Sequence, residues 1–345
     1  MKHFRLSIAV TVALMVVAGW WGYSRGGLPG MFTALWISAV LGVLEVSLSF
    51  DNAVVNASVL RHWDAFWRKL FLTVGILIAV FGMRLVFPLL IVAIATGLSM
   101  LDVWTLALER PEEYSRHLTE NDAEVATFGG AFLLLVFLNF LFDSDKELHW
   151  LGWFEEKIGK YGSESLAVLL TLCASYGAMA LVPEGRKLSV LASGVLGVVI
   201  YVGVKWISGL LEEEEHDPTI GQMVSRGSIG GFMYLEVLDA SFSFDGVIGA
   251  FAITNDVVII MLGLAIGAMF VRSMTVYLVD RGTLQEFVYL EHGAHYAIGI
   301  LAIIMFVSVR YHIPEWFTGL SGVAFILVSL WSSHRYKQGQ DEAKL

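Results

Sequence analysis

Residues Leu44 to Asn56 read LEVSLSFDNAVVN and set Glu45, Asp51, Asn52 and Asn56 inside an apolar run long enough to cross a bilayer. An ionisable side chain at the centre of a membrane costs about 3 kcal/mol even on lenient insertion scales, so it must face a partner or a water-filled cavity. The stretch returns as Leu235 to Ala250, LEVLDASFSFDGVIGA. There Asp239 stands in register with Glu45, Ser243 with Ser49, Phe244 with Phe50 and Asp245 with Asp51. The chain therefore repeats an acidic membrane helix.

The rest of the composition agrees with a membrane setting. The 345 residues are 57% hydrophobic and 16% charged, whereas soluble domains are nearer a quarter charged. An all-α, polytopic transmembrane helix bundle is expected. Windows of about 20 apolar residues, the length that spans the hydrocarbon, can be placed about ten times. They fall at 5–22, 33–57, 70–94, 124–142, 165–182, 188–210, 229–252, 256–279, 293–310 and 316–333. The stretch Phe71 to Leu108 reads as one long span, bent near Pro88, followed by an amphipathic segment near Asp102 to Glu109.

Lys and Arg concentrate in alternate connections, which predicts both termini in the cytoplasm. The expected location is a bacterial-type inner (plasma) membrane. The first span has Lys2 and Arg5 ahead of its apolar core. No small-x-small cleavage site follows it, so it reads as an anchor. A net charge of -10 gives no basic footprint for nucleic acid. The lone Cys173 excludes a disulfide framework and a thiolate metal cluster.

Four regions follow. Residues 1–30 form an anchor span and outer turn, and 31–142 a first repeat. Residues 143–227 hold an amphipathic segment at Asp143 to Tyr161, two connector spans and the acidic linker Glu212 to Asp217. Residues 228–345 form the second repeat and a C-terminal span. Gly75 stands nine residues before Arg84, and Gly263 nine before Arg272, so the repeated unit is an acidic span followed by an arginine span. The two acidic spans lie five apart in the count and cross in opposite senses. That is an inverted repeat, the arrangement in which transporters place substrate at the midplane.

Five intramembrane acids, Glu45, Asp51, Glu236, Asp239 and Asp245, face only two arginines. A divalent cation would offset most of the excess. At 100° per residue Glu45, Ser49, Asn52 and Asn56 share one helix face, as do Glu236, Asp239 and Ser243. Asp51 and Asp245 point elsewhere, either toward Arg84 and Arg272 as counter-ions or into a helix unwound around Ser-Phe-Asp. Carboxylates and amide carbonyls are hard oxygen ligands, which favour Mn²⁺, Ca²⁺ or Mg²⁺ over zinc or copper. Asn139 reads as an interhelical hydrogen-bonding residue and a secondary ligand candidate, with Asn56. His292 and His295, on one face at a span entrance, read as interfacial and structural.

The chain resembles the TerC family of integral membrane proteins. The resemblance rests on LEVSLSFDNAVV from residue 44, LEVLDASFSFDGVIGAFAITND from Leu235 to Asp256, Arg272, and YLEHGAHYAIG and HIPEWF near residues 289 and 312. Gly246 stands where that family usually has Ser. The resemblance implies a LysE-like transporter, manganese efflux, a link to tellurite resistance, and metal ligands at Glu45, Asp51, Asn52, Glu236, Asp239 and Asp245.

The expectation is a transporter that exports a divalent cation, Mn²⁺ foremost, through a midplane carboxylate site between the repeats. It would work in the bilayer without an obligatory cofactor, as a monomer or a homo-oligomer. The alternative is a membrane scaffold for a metal, tellurite or envelope stress response that transports nothing. No nucleophile with a base and no phosphate-binding loop points to an enzyme.

Overall fold

The computed structural model describes residues 4–61, 63–75, 77–144, 146, 148–211, 228–311 and 313–342. The acidic run Glu212 to Asp217 lies outside the described residues, and so does the side chain of Asp245. Among those described, every regular element is helical. Two compact units emerge, the first made of Met1–Ala53, Ala65–Asp122 and Phe242–Tyr277, the second of Val54–Asp64, Ala123–Ser241 and Leu278–Leu345.

The first unit opens with helix α1, Arg5–Leu48, which breaks at Gly26 and Gly27. Gly27 has φ 59 and ψ -147, a backbone shape that a side chain would strain, and Pro29 follows. The two arms of α1 fold back on each other. A Cβ on Gly19 would meet Leu35 and Met31, and one on Gly22 would collide with Ala34 and the Gly30 carbonyl. The first arm runs antiparallel to the Val257–Arg281 helix, because Ser7 Oγ donates to the Met269 carbonyl at 2.8 Å while Trp21 Nε1 donates to Asp256 at 2.9 Å. Asp256 also accepts from the Val258 and Ile259 amides and so caps that helix.

The second arm of α1 packs on the same helix through small residues. Gly263 accommodates Leu41 and the Ser38 carbonyl, and Gly267 accommodates Glu45 and the Gly42 carbonyl. Four-residue spacing of small side chains on both partners is the usual way that membrane helices approach closely without a hydrophobic drive.

Between these helices in sequence, Ala65–Ile94 forms one candidate span. It contains two π-helical stretches, Phe71–Gly75 and Ile78–Val86. Gly97, at φ 72, ends the helix, and Ser99 caps the next one by accepting from the Asp102 amide. The Met100–Glu109 and Pro111–Thr119 helices, of ten and nine residues, are too short to cross and pack back on Phe87–Thr96.

In the second unit the Asp122–Phe142 helix is buried along most of its length. Its Gly129 and Gly130 lie against Met305, Ala302 and Phe306 of the Leu290–Ser308 helix. The Glu164–Ala180 and Lys187–Leu211 helices form an antiparallel hairpin. Glu164 pairs with Lys205 at one end, Ser175 abuts Gly194 in the middle, and Ala178 and Val182 pack on Val190 at the other end. Leu290–Ser308 and Glu315–Glu342 close the unit, with Gly293 against Ser329 and the Tyr289 amide donating to Ser333 Oγ at 2.9 Å.

Seven of the described helices are long and apolar enough to cross a membrane, or eight if the bent pair Trp153–Tyr161 and Glu164–Ala180 is one span. The expected ten differ from this at specific places. The expected 5–22 and 33–57 fall largely within α1, a single candidate. The expected 165–182 belongs to the bent pair. The helix at Ile229–Ile253 contains Glu236, Asp239 and Asp245, and is absent from the seven.

Candidate functional site: buried carboxylates in two helical units

The division into units falls inside both acidic motifs. Glu45, Asp51, Asn52 and Asp245 belong to the first unit, while Asn56, Glu236 and Asp239 belong to the second.

In the first unit the close packing of α1 on Gly267 carries Glu45 into the interior, where it is 1% exposed. Its carboxylate pairs with the Arg84 guanidinium and accepts from Ser49 Oγ at 3.0 Å, one helical turn away. Arg84, itself buried, also donates from Nη1 to the Ala79 carbonyl of its own π-helical turn. A π turn inserts one extra residue and rotates the side chains beyond it, and such turns gather at functional sites. Pro88, four residues beyond Arg84, has no N–H to return to the Arg84 carbonyl, which favours wide turns at this place. On the other side of Glu45 stands Gly246, where a Cβ would lie 2.9 Å from Glu45 Oε2.

α1 stops at Leu48, and Ser49 leaves the helical region at φ -105 and ψ 17 before the helix α2 resumes as Phe50–Leu60. The break is shallow. The Ser49 amide still donates to the Glu45 carbonyl at 3.0 Å, and the Ala53 amide to Ser49 at 3.1 Å. Asp51 therefore lies in the first turn of α2, where the helix dipole favours a carboxylate, and it accepts from the Asn52 amide at 3.0 Å. Asn52 is buried, and its Oδ1 accepts no hydrogen bond among the described residues. In the second motif the Ile229–Ile253 helix runs unbroken through Ser243 to Asp245, so the expected unwinding is confined to the first.

The arginine assignments change. Arg84 meets Glu45 instead of Asp51, because the π turn and the small-residue packing bring those two side chains together. Arg272 lies 3.9 Å from the centre of the Phe71 ring and donates to the Gly75 carbonyl at 3.4 Å. The glycine singled out for its spacing to Arg84 thus serves the other arginine. Asn139 donates to the Leu135 carbonyl of its own helix at 2.8 Å.

In the second unit Asn56, 1% exposed, donates from Nδ2 to Asp239 Oδ1 at 2.8 Å. Its Oδ1 is buried and accepts no hydrogen bond among the described residues. Asp239 and Glu236 are both buried and stand three residues apart on one helix face. A buried amide carbonyl without a donor costs about 1–3 kcal/mol unless a ligand or water takes it up. Carboxylates and an amide oxygen are the donor set that suits a hard divalent cation. Among the described residues no group of three or more His, Cys, Asp and Glu lies close enough to hold a metal ion, so these two carboxylates would act with amide or water oxygens.

A further buried charge was not anticipated from the sequence. Glu155, 0% exposed, accepts from the Trp150 and Leu151 amides, each at 3.2 Å, and from the Tyr296 hydroxyl at 2.7 Å. Lys146 Nζ and His292 Nε2 each lie 3.8 Å from Glu155 Oε2. His292 Nε2 also lies 2.9 Å from the Leu148 carbonyl, and His295 stacks on Phe140 at 3.9 Å, which fits the structural part expected of both histidines.

Fold and site together define an all-α chain with membrane-length helices and carboxylates buried among them. The chain belongs to the family described as "Protein of unknown function (DUF475)", whose sequence model matches residues 50–340. No curated protein and no solved structure matches it significantly.

Proposed function

We propose that this protein is a membrane transporter that exports a divalent cation, Mn²⁺ foremost, from the cytoplasm. The observation that carries the reading is the buried Asn56–Asp239 pair, in which the amide commits its NH₂ to the carboxylate and keeps its carbonyl for something else. Glu236 on the same face supplies a second carboxylate. The TerC resemblance agrees with manganese as cargo. In the first unit Arg84 holds the charge of Glu45, which leaves that carboxylate neutralised when no cation is near.

The finer topology belongs to this reading: about ten spans in an inverted repeat, with both termini in the cytoplasm of a bacterial inner membrane. Lys and Arg enrichment in alternate connections supports that orientation. A scaffold for a stress response would keep its fold and partners without these carboxylates.

The test is uptake of Mn²⁺ into inverted vesicles holding the wild-type protein or Asp239→Asn. Export predicts uptake by the wild type, reduced at least about tenfold in the variant at equal protein. Uptake equal in both, or in neither, removes the reading.

A further inference from the structure

The Trp153–Tyr161 helix meets the following Glu164–Ala180 helix at 96°. That second helix lies antiparallel to a membrane-length partner, from Glu164 beside Lys205 to Ala178 in the cluster with Val190, so it shares the partner's direction through the bilayer. A helix at right angles to it lies in the plane of the membrane. Its level is the membrane surface, because Phe142, Glu164 and Leu290, which flank it, are all ends of long helices.

Two features fix which side faces away from the protein. Glu155 and Gly159, four residues apart, are buried, Glu155 within the network just described and Gly159 against the Asp143 carbonyl. On the opposite side Trp153, Lys157 and Tyr161 follow one another at four-residue spacing and are exposed, as are Phe154 and Lys160. Trp153 is 73% and Tyr161 78% exposed, a cost in water that an interfacial location removes, since aromatic rings with polar edges prefer the headgroup layer. Lysines between them present cationic heads to lipid phosphates.

We propose that Trp153–Tyr161 is an in-plane anchor whose aromatic and lysine face binds anionic phospholipid headgroups, with Glu155 as the pin that holds that face outward. It is independent of whether a cation is transported. Lys160 is partly committed to Glu156 at 2.8 Å, so Lys157 is the main contact to phosphate.

The full-length protein is reconstituted into vesicles of phosphatidylcholine with or without phosphatidylglycerol. Spin labels at Phe154→Cys and Tyr161→Cys, in a Cys173→Ser background, report depth by collision with oxygen and with a water-soluble nickel chelate. The proposal expects both labels at headgroup depth. Labels as open to the chelate as a hydrated loop, or shielded from both reagents by protein, overturn it. Retention of phosphatidylglycerol on the purified protein is measured for Lys157→Glu/Lys160→Glu. A loss of at least about fivefold is expected, with phosphatidylcholine unchanged. Equal retention of phosphatidylglycerol by the double variant and the wild type also overturns the proposal.

Discussion

Arg84 and Glu45, separated by 39 positions in sequence, form a buried ion pair inside the first helical unit. The π-helical turn Ile78–Val86 aims the guanidinium, and contact with Gly267 brings the carboxylate in.

Breaking that pair from one side should therefore cost far more than removing both charges. Arg84→Gln leaves Glu45 buried and unpaired, an expected loss of about 3–5 kcal/mol. Glu45→Gln/Arg84→Gln should lose much less than the two single changes together. Urea unfolding of the four proteins in one detergent gives the cycle. Additive losses would mean that the pair is not coupled.

Gly267 is the point at which small-residue packing admits Glu45, so Gly267→Val should lower stability by about 1–3 kcal/mol through overpacking. Gly177 has nothing within 4 Å of a Cβ built on it, and it lies within the Glu164–Ala180 helix. Gly177→Ala should be neutral or stabilising by up to about 1 kcal/mol. Thermal melts of both variants, read against the wild type, check the contrast.

Burial pushes the Lys146 ammonium below its ordinary value, against opposing attraction from Glu155, Asp143 and Glu291. The folded protein then binds this proton less tightly than the unfolded chain does. Between the lowered value and about 10.5 the unfolded state holds more protons, so this group makes stability rise with pH there. Lys146→Met should flatten that rise, read as unfolding midpoint against pH in the alkaline range. An identical slope in the variant would show that Lys146 is not its source.

Much of this was legible in the residues. Polar side chains inside apolar runs marked Glu45, Asn56 and Asp239 as buried, since burial follows from the flanking sequence alone. Helical spacing placed Ser49 over Glu45, because four residues make about one turn. What stayed hidden depended on backbone departures and long-range approach. Ideal helical geometry turns Asp51 away from the Glu45 stripe and leaves Arg84 as one of two options for it, whereas in the structure Arg84, on a π-helical stretch, pairs with Glu45. Nothing in the amphipathic segment singles out Glu155, because its partners Lys146 and Tyr296 come from a preceding loop and a helix about 140 residues on.

Whether the buried Asn56–Asp239 pair is part of a cation site is decided by Mn²⁺ binding to the purified full-length protein. Electron paramagnetic resonance follows the loss of the free-ion signal as protein is added, for the wild type and for Asp239→Asn and Asn56→Ala, each first shown to be folded by its melting transition. Saturable binding by the wild type is expected, weakened at least about tenfold in both variants. Binding of equal strength in all three proteins, or no saturable binding by the folded wild type, would contradict it.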